Sequence, residues 1–222
     1  MGATEDAARG RAARPGGTDG ISSSPSERPP VFVITGTSGE GKSTLARMLL
    51  ERVPQLELAV SATTRARRPE EQDGREYYFI SREEFDRRLA ADEFLEWVEW
   101  PWGDHKRAGT LWSEIERITG EGHPVLLELE TGGALAVGDR IPGSVTIFIT
   151  APNREELERR LRSRGTESEG EIEQRLAQAL EQSKLAGEFT HTIVNDDLGR
   201  AVDELEEIVR KEIVAAGSMG KP

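Results

Sequence analysis

Apolar side chains fall along this chain in short blocks of two kinds, runs or alternations that suit strands and three-and-four spacings that suit helices. The first run, Val31-Phe32-Val33-Ile34-Thr35, stops at the glycine-rich turn Gly36-Thr37-Ser38-Gly39-Glu40-Gly41-Lys42-Ser43-Thr44. Leu45, Met48 and Leu49 then recur at helical spacing, so strand, loop and helix follow one another. Beyond Pro54, residues 56–61 read as a second strand. A turn at Asp73-Gly74 feeds a strand over 77–80, a short helix covers 82–91, and residues 94–100 alternate as a strand does. Helix is predicted over about 111–119, then a buried strand over 124–130 and another over 144–150. Pro152-Asn153 caps a helix carrying Leu157 and Leu161. A long amphipathic helix with Ile172, Leu176, Leu180 and Leu185 precedes a strand over 190–194, a turn at Asn195-Asp196-Asp197, and a last helix with Val202, Leu205, Ile208 and Val209. Strands alternating with helices predict an α/β fold, a parallel sheet flanked by helices on both faces, with ligands at the strands' carboxyl ends.

The two ends lack this patterning. Residues 1–30 are rich in Gly, Ala, Arg, Ser and Pro, with Ile21 almost the only large apolar side chain after Met1, so a disordered tail is expected. Its arginines also suit an organelle address, a reading that Glu5, Asp6 and the missing apolar face oppose. Pro29-Pro30 marks the start of one domain over 31–214, and 215–222 is expected to be a flexible tail.

Charge and composition narrow the partners. Lysine and arginine number 29 against 41 acids, a net charge of -12, which argues against a nucleic acid or a membrane surface as partner. An anionic substrate then needs a locally basic pocket. Cysteine is absent, which removes disulfides, a cysteine nucleophile and thiolate metal sites. His105, His123 and His191 are too dispersed to suggest zinc. No apolar run is long enough to span a bilayer, and a cytoplasmic protein is expected.

The chemistry begins at the glycine-rich turn. Gly36 and Gly41 bracket four residues, the spacing at which backbone N–H groups wrap a triphosphate while Lys42 reaches the outer phosphates and Ser43 holds Mg²⁺. The helix N-terminus behind it favours an anion. Phosphoryl transfer between two anions needs positive charge on both. Arg65 and Arg68 lie beyond a strand end with few acids to pair locally, and Tyr77 can donate a phenolic hydrogen bond beside them; together they suit an acceptor monophosphate. Arg160, Arg164 and Arg175 flank a glycine-containing loop that can close over the transferring phosphate, although arginines on helices are also ordinary solvated charge. Glu128 and Glu130 interrupt an apolar strand on one face, placed either to hold Mg²⁺ through water or at a strand end that has reached solvent.

The order of these elements resembles the guanylate kinase family over about 31–213. The resemblance rests on the glycine-rich loop, Ser61-Ala62-Thr63-Thr64-Arg65 with Arg68, Asp73-Gly74 before Tyr77 and Phe79, Phe94-Leu95-Glu96-Trp97, Arg164-Gly165-Thr166-Glu167, and Ile193-Val194-Asn195-Asp196-Asp197. It implies a P-loop NTPase-type core with an inserted GMP-binding lobe at about 62–123, a lid at about 154–188, and transfer of the γ-phosphoryl of ATP to GMP, and to dGMP, with Mg²⁺. On that resemblance Gly36, Thr37, Ser38, Gly39, Glu40, Gly41, Lys42, Ser43, Thr44 and Asn195 hold ATP, and Ser43 and, through water, Glu128 hold the metal. Arg65, Arg68 and Tyr77 hold the GMP phosphate, Ser61, Glu96 and Thr110 read guanine, and Glu130 meets the nucleoside. Lys42, Arg68, Arg160, Arg164 and Arg175 act on the transferring phosphate. The chemistry of guanine supports Glu96 independently, because an ionised carboxylate accepts from N1–H and the exocyclic amine together.

The chain departs from the family at three places. His105-Lys106-Arg107-Ala108-Gly109-Thr110 lacks the tyrosine pair that many members place before the Gly-Ser/Thr, and His105, Lys106 or Arg107 can supply the lost donor. Glu130 stands where the family usually has Asp, and Thr131-Gly132-Gly133 lacks the glutamine often found there. Two other readings compete: a non-catalytic guanylate-kinase-like binding module, which the intact Lys42 and Ser43 oppose, and a related kinase for another phosphorylated acceptor, which Glu96 and Tyr77 oppose.

Overall fold

The structure is a computed structural model that describes residues 28–100, 105–163 and 169–219. In chain order the strands are β1 (Val31–Thr35), β2 (Glu57–Leu58), β3 (Ala62–Thr63), β4 (Tyr78–Phe79), β5 (Phe94–Glu99), β6 (Arg107–Leu111), β7 (Val125–Glu128), β8 (Val145–Thr150) and β9 (His191–Val194). The helices are α1 (Lys42–Arg52), α2 (Arg82–Ala90), α3 (Trp112–Gly120), α4 (Thr131–Arg140), α5 (Arg154–Ser163), α6 (Glu169–Ser183) and α7 (Leu198–Met219).

Five strands form a parallel sheet in the order β2-β7-β1-β8-β9. All five residues of β1 are buried, as its unbroken apolar run requires of a central parallel strand. Phe32 and Ile34 pack with Leu45 and Leu49 of α1 and with Val202 and Leu205 of α7. Val31 and Val33 pack on the opposite face with Ile118 of α3 and Val137 of α4. Each such side chain contributes about 1.5–3 kcal/mol on burial, so the two layers hold the carboxyl edge of the sheet rigid.

A second sheet, ordered β4-β3-β6-β5, stands beside the first. Its β3·β6 and β5·β6 pairs are antiparallel and its β3·β4 pair parallel. Phe85 of α2 packs against Ala62, Phe94 and Leu111, its ring stacked on Phe94 at 4.3 Å.

Several predicted elements take a different form. The strand read over 56–61 divides: β2 joins the parallel sheet, β3 joins the second, and Ala59, Val60 and Ser61 carry the chain between them. β6 was hidden by its polar and small residues Arg107, Ala108, Gly109 and Thr110, and α4 by the weak helix formers Thr131-Gly132-Gly133 at its start. Leu180 lies off the buried stripe of α6 and is 57% exposed, while Leu185 follows the helix and packs against the core. The last helix continues through Ala215 to Met219, residues the sequence assigns to a tail. No helix among the described residues is long and apolar enough to cross a membrane. Residues 1–27 and 220–222 of the expected tails lie outside the described residues.

Candidate functional site

β1 delivers the chain to the glycine-rich turn, and α1 begins at Lys42. Gly36, Gly39 and Gly41 all have positive φ, at 143°, 97° and 89°, which side chains resist. A Cβ on Gly36 would strike the Ile149 carbonyl, and one on Gly41 would lie 2.5 Å from Asn195 Nδ2. The loop therefore lies directly on the ends of β8 and β9. Lys42 Nζ donates to the carbonyls of Gly36 at 2.7 Å and Thr37 at 2.9 Å, spanning the loop. Glu40 is buried and accepts the Thr37 N–H at 2.6 Å; burial pushes its carboxyl up, against the pull of Thr37 and Lys42. Asn195 Nδ2 donates to the Glu40 carbonyl at 2.8 Å, and Arg160 donates to the Asn195 carbonyl at 2.8 Å and to Glu156 at 2.7 Å. Leu157 and Leu161 of α5 stand 3.0 Å from where a side chain on Gly39 would begin. Asn153 caps that helix, as predicted, by accepting the Glu156 N–H.

Ser43 Oγ donates to Glu128 Oε1, which joins the start of α1 to the end of β7. Glu128 is half-buried, but β7 ends there, and Glu130 is exposed as the residue capping α4. Of the two carboxylates read on one strand face, one touches the loop and the other has reached solvent. Among the described residues, no three His, Cys, Asp or Glu side chains gather as a metal cluster.

The second sheet carries the other half. β5 and β6 pair so that Glu96 stands opposite Thr110, whose N–H and Oγ1 donate to Glu96 Oε1 at 2.8 and 2.9 Å. Thr110 Oγ1 is also 3.1 Å from Ser61 Oγ. Since the threonine's single proton goes to Glu96, Ser61 is the donor in that contact. Burial pushes the Glu96 carboxyl up to about 7, against the two hydrogen bonds from Thr110. Its Oε2 faces Gly133 of α4, where a Cβ would lie only 2.7 Å away. Ser61 is held in place by its neighbour, because Glu114 accepts the Val60 N–H at 3.0 Å. Burial alone would raise Glu114, yet hydrogen bonds from Arg117, Val60 and Tyr78 leave its carboxyl lowered.

Arg65 does not lack a local acid. Its guanidinium forks onto Glu71 at 2.7 and 2.9 Å and lies 5.3 Å over the Tyr77 ring. That fork, with the Arg68 N–H, lowers Glu71 to about 2. Burial raises the Tyr77 phenol; Arg65 lowers it, and the negative charge of Glu128, Glu71 and Glu130 raises it further. Arg68 is exposed, and its guanidinium makes no hydrogen bond or ion pair among the described residues. It lines a cavity of about 450 Å³ with Thr64, Arg65, Ala66, Arg82 and Lys106. Of the three arginines expected on the lid, Arg160 is tied to Asn195, Arg175 is half-buried on α6, and Arg164 lies outside the described residues.

The chain thus combines a loop on the carboxyl edge of a parallel sheet with a second sheet that holds a buried carboxylate. The family model described as guanylate kinase matches residues 28–212. The chain belongs to the guanylate kinase family. A guanylate kinase of Rubrobacter xylanophilus is 47% identical over 187 residues, covering 84% of this chain and 96% of the relative. One of Symbiobacterium thermophilum is 45% identical over 182 residues, covering 82% and 85%. A crystal structure of guanylate kinase from Anaplasma phagocytophilum superposes with a TM-score of 0.65 at 29% identity, covering 84% of this chain and 87% of that one.

Within this guanylate kinase framework, four contributors went unread in the sequence. Glu71, Arg82, Glu114 and Gly133 each act through a partner distant in the chain or across a loop. Glu114 carried the only local hint, a carboxylate on the apolar side of a helix whose Ile115 and Ile118 are buried.

Proposed function

We propose that this chain transfers the γ-phosphoryl group of ATP to GMP, giving ADP and GDP. The observation that carries the reading is Glu96: a buried carboxylate with one oxygen held by Thr110 and the other facing Gly133, beside the Ser61 hydroxyl. Guanine presents N1–H and an amine side by side to such a group, whereas adenine presents a lone pair and no amine there. The site then rejects AMP by about 10⁴-fold, because the buried carboxylate would be left unpaired.

In this reading residues 36–44 and Asn195 take ATP, Arg65, Arg68 and Tyr77 take the acceptor phosphate, and Glu130 lies near the nucleoside. Lys42, which spans the loop between the carbonyls of Gly36 and Thr37, exchanges those bonds for phosphate oxygens. Arg160, with Arg164 and Arg175, adds positive charge as the lid closes on the reacting groups. Catalysis is then positioning and charge stabilisation by this chain's own cations. Mg²⁺ fits the pairing of Ser43 with Glu128, since this ion favours a hydroxyl, water-mediated carboxylate and phosphate oxygens over an all-protein cage. When bound, it neutralises phosphate charge. dGMP is included as an acceptor and the cytoplasm as the location.

A coupled assay of ADP release with GMP, dGMP, AMP, CMP and UMP tests the proposal. Turnover should be fastest with the two guanine nucleotides. Equal turnover with AMP would overturn the guanine assignment, and none with any acceptor would favour the binding-module reading.

A further inference from the structure

The cavity lined by Arg65, Arg68, Arg82 and Lys106 contains more positive charge than the acceptor-phosphate reading has used. Two of its four cations are already committed. Arg65 is held in the fork with Glu71, and Arg82 donates to the His105 carbonyl at 3.2 Å and stands 3.8 Å from Glu99. Arg68 and Lys106 have no side-chain hydrogen bond or ion pair among the described residues. Lys106 is half-buried and Arg68 exposed on the same cavity, and neither side chain is hydrogen-bonded or ion-paired to a carboxylate among the described residues, an arrangement that favours an anion.

The neighbours of Lys106 are unsuited to that task. Arg107 is paired with both Glu99 and Asp86, and its guanidinium lies 5.9 Å from the Phe85 and Trp97 rings. His105 is exposed, with its ring nitrogen 3.2 Å from Glu99. Lys106 alone of the three enters the cavity.

Its backbone position is well determined. The Thr64 N–H donates to the Arg107 carbonyl at 3.0 Å, and the Arg107 N–H donates to Thr64 Oγ1 at 2.9 Å, clamping the approach to β6 against the segment that leads to Arg65 and Arg68. By the two-residue alternation of a strand, Lys106 shares a face with Ala108 and Thr110. Thr110 is the residue that holds Glu96, and the small Ala108 lies between them. The face that orients the guanine-reading carboxylate therefore leads to the ammonium.

We propose that Lys106 is a ligand of the 5′-phosphate of the acceptor nucleotide, gripping it together with Arg68. This rests on the reading of the second sheet as the acceptor site. A lysine supplies three rotatable donors on a flexible stem, so it follows the phosphate without imposing a bidentate geometry. Its contact is made equally before and during transfer, which places its effect in KM rather than kcat.

The test uses the full chain and two variants, Lys106→Gln and Lys106→Arg. With ATP saturating, Lys106→Gln should raise KM for GMP about tenfold, within the range for a charge-assisted hydrogen bond, with kcat within about twofold. The inhibition constant of guanosine, which has no phosphate, should stay unchanged, and Lys106→Arg should restore most of the lost affinity. An unchanged KM in folded Lys106→Gln overturns the proposal. Equal weakening of guanosine overturns it too, by showing that the lysine acts through the fold. Failure of the unaltered chain to phosphorylate GMP is a separate outcome that removes the parent reading and this one with it.

Discussion

Glu96 brings two opposite pH dependences to one side chain. Burial pushes its carboxyl up to about 7, against an ordinary value of 4.5. Between those pH values the folded chain keeps a proton that the unfolded chain has released, so stability falls as pH rises through this window and levels off above it. Glu96→Gln removes that dependence, and urea melts at pH 5 and pH 8 should show the variant gaining on the parent as pH rises. Guanine recognition runs the other way, because only the ionised form accepts from N1–H and the amine together. The affinity for GMP should therefore fall as pH drops below about 7, and a GMP titration series in which it rises instead would contradict the assigned role. Lys42 is a simpler case: its ammonium touches only loop carbonyls. Lys42→Met should lower kcat by about 10²-fold or more while moving the melting temperature little, read from steady-state rates and a thermal scan.

The elements are joined at a few specific contacts. Arg140, at the end of α4, donates to the carbonyls of Phe94 and Leu95 in β5 at 2.8 and 3.0 Å, and its guanidinium lies 5.1 Å from the Trp112 ring. At the other end of the same helix, Gly133 lies against Glu96. One core helix thus sets both the position of β5 and the space around the Glu96 carboxylate. Gly133→Ala should raise KM for GMP severalfold or more while the fold persists, because the added methyl must displace Glu96 Oε2 from 2.7 Å. Kinetics with GMP alongside a melting curve separate this from general damage. The division of the strand read over 56–61 has a similar basis: the Val60 N–H finds Glu114 rather than a strand partner, so the chain leaves one sheet and enters the other at Ser61.

Across the whole molecule, α5 and α6 share a small apolar cluster of Leu157, Leu161, Ile172, Leu176 and Ala179, separate from the two that cover the central sheet. A separate cluster opens separately. Leu161→Ala, a loss of about 2–5 kcal/mol at a fully buried site, should speed amide exchange through α5 and α6 while leaving β1 and β8 protected. Equal acceleration in β1 would mean that the α5–α6 pair and the central sheet open as one unit. The same variant should weaken ATP, because Leu161 also packs over Gly39. The net charge of -12 repels nucleotides at long range, so the proposed binding would depend on the local cations of the loop and the cavity.

The sequence by itself determined the elements whose information is local. The unbroken apolar run of β1, the glycine spacing of the loop and the stripe of α1 follow from period and backbone freedom, and they specified the parallel core and its phosphate loop. The family resemblance added the expectation of a second half of the site, including Glu96. Tertiary structure decided what depends on pairing between distant residues: that Arg65 is engaged by Glu71 while the Arg68 guanidinium has no ion pair among the described residues, that Glu128 meets Ser43 while Glu130 reaches solvent, and that Lys106 lines the cavity while Arg107 does not. Helix α4 belongs here too, since its glycines argue against a helix locally, and at Gly133 a carboxylate from the other sheet lies where a side chain would begin. The physical reason is common to all of these. A charge or a glycine states what it can do, and its neighbours in space determine which of those things it does.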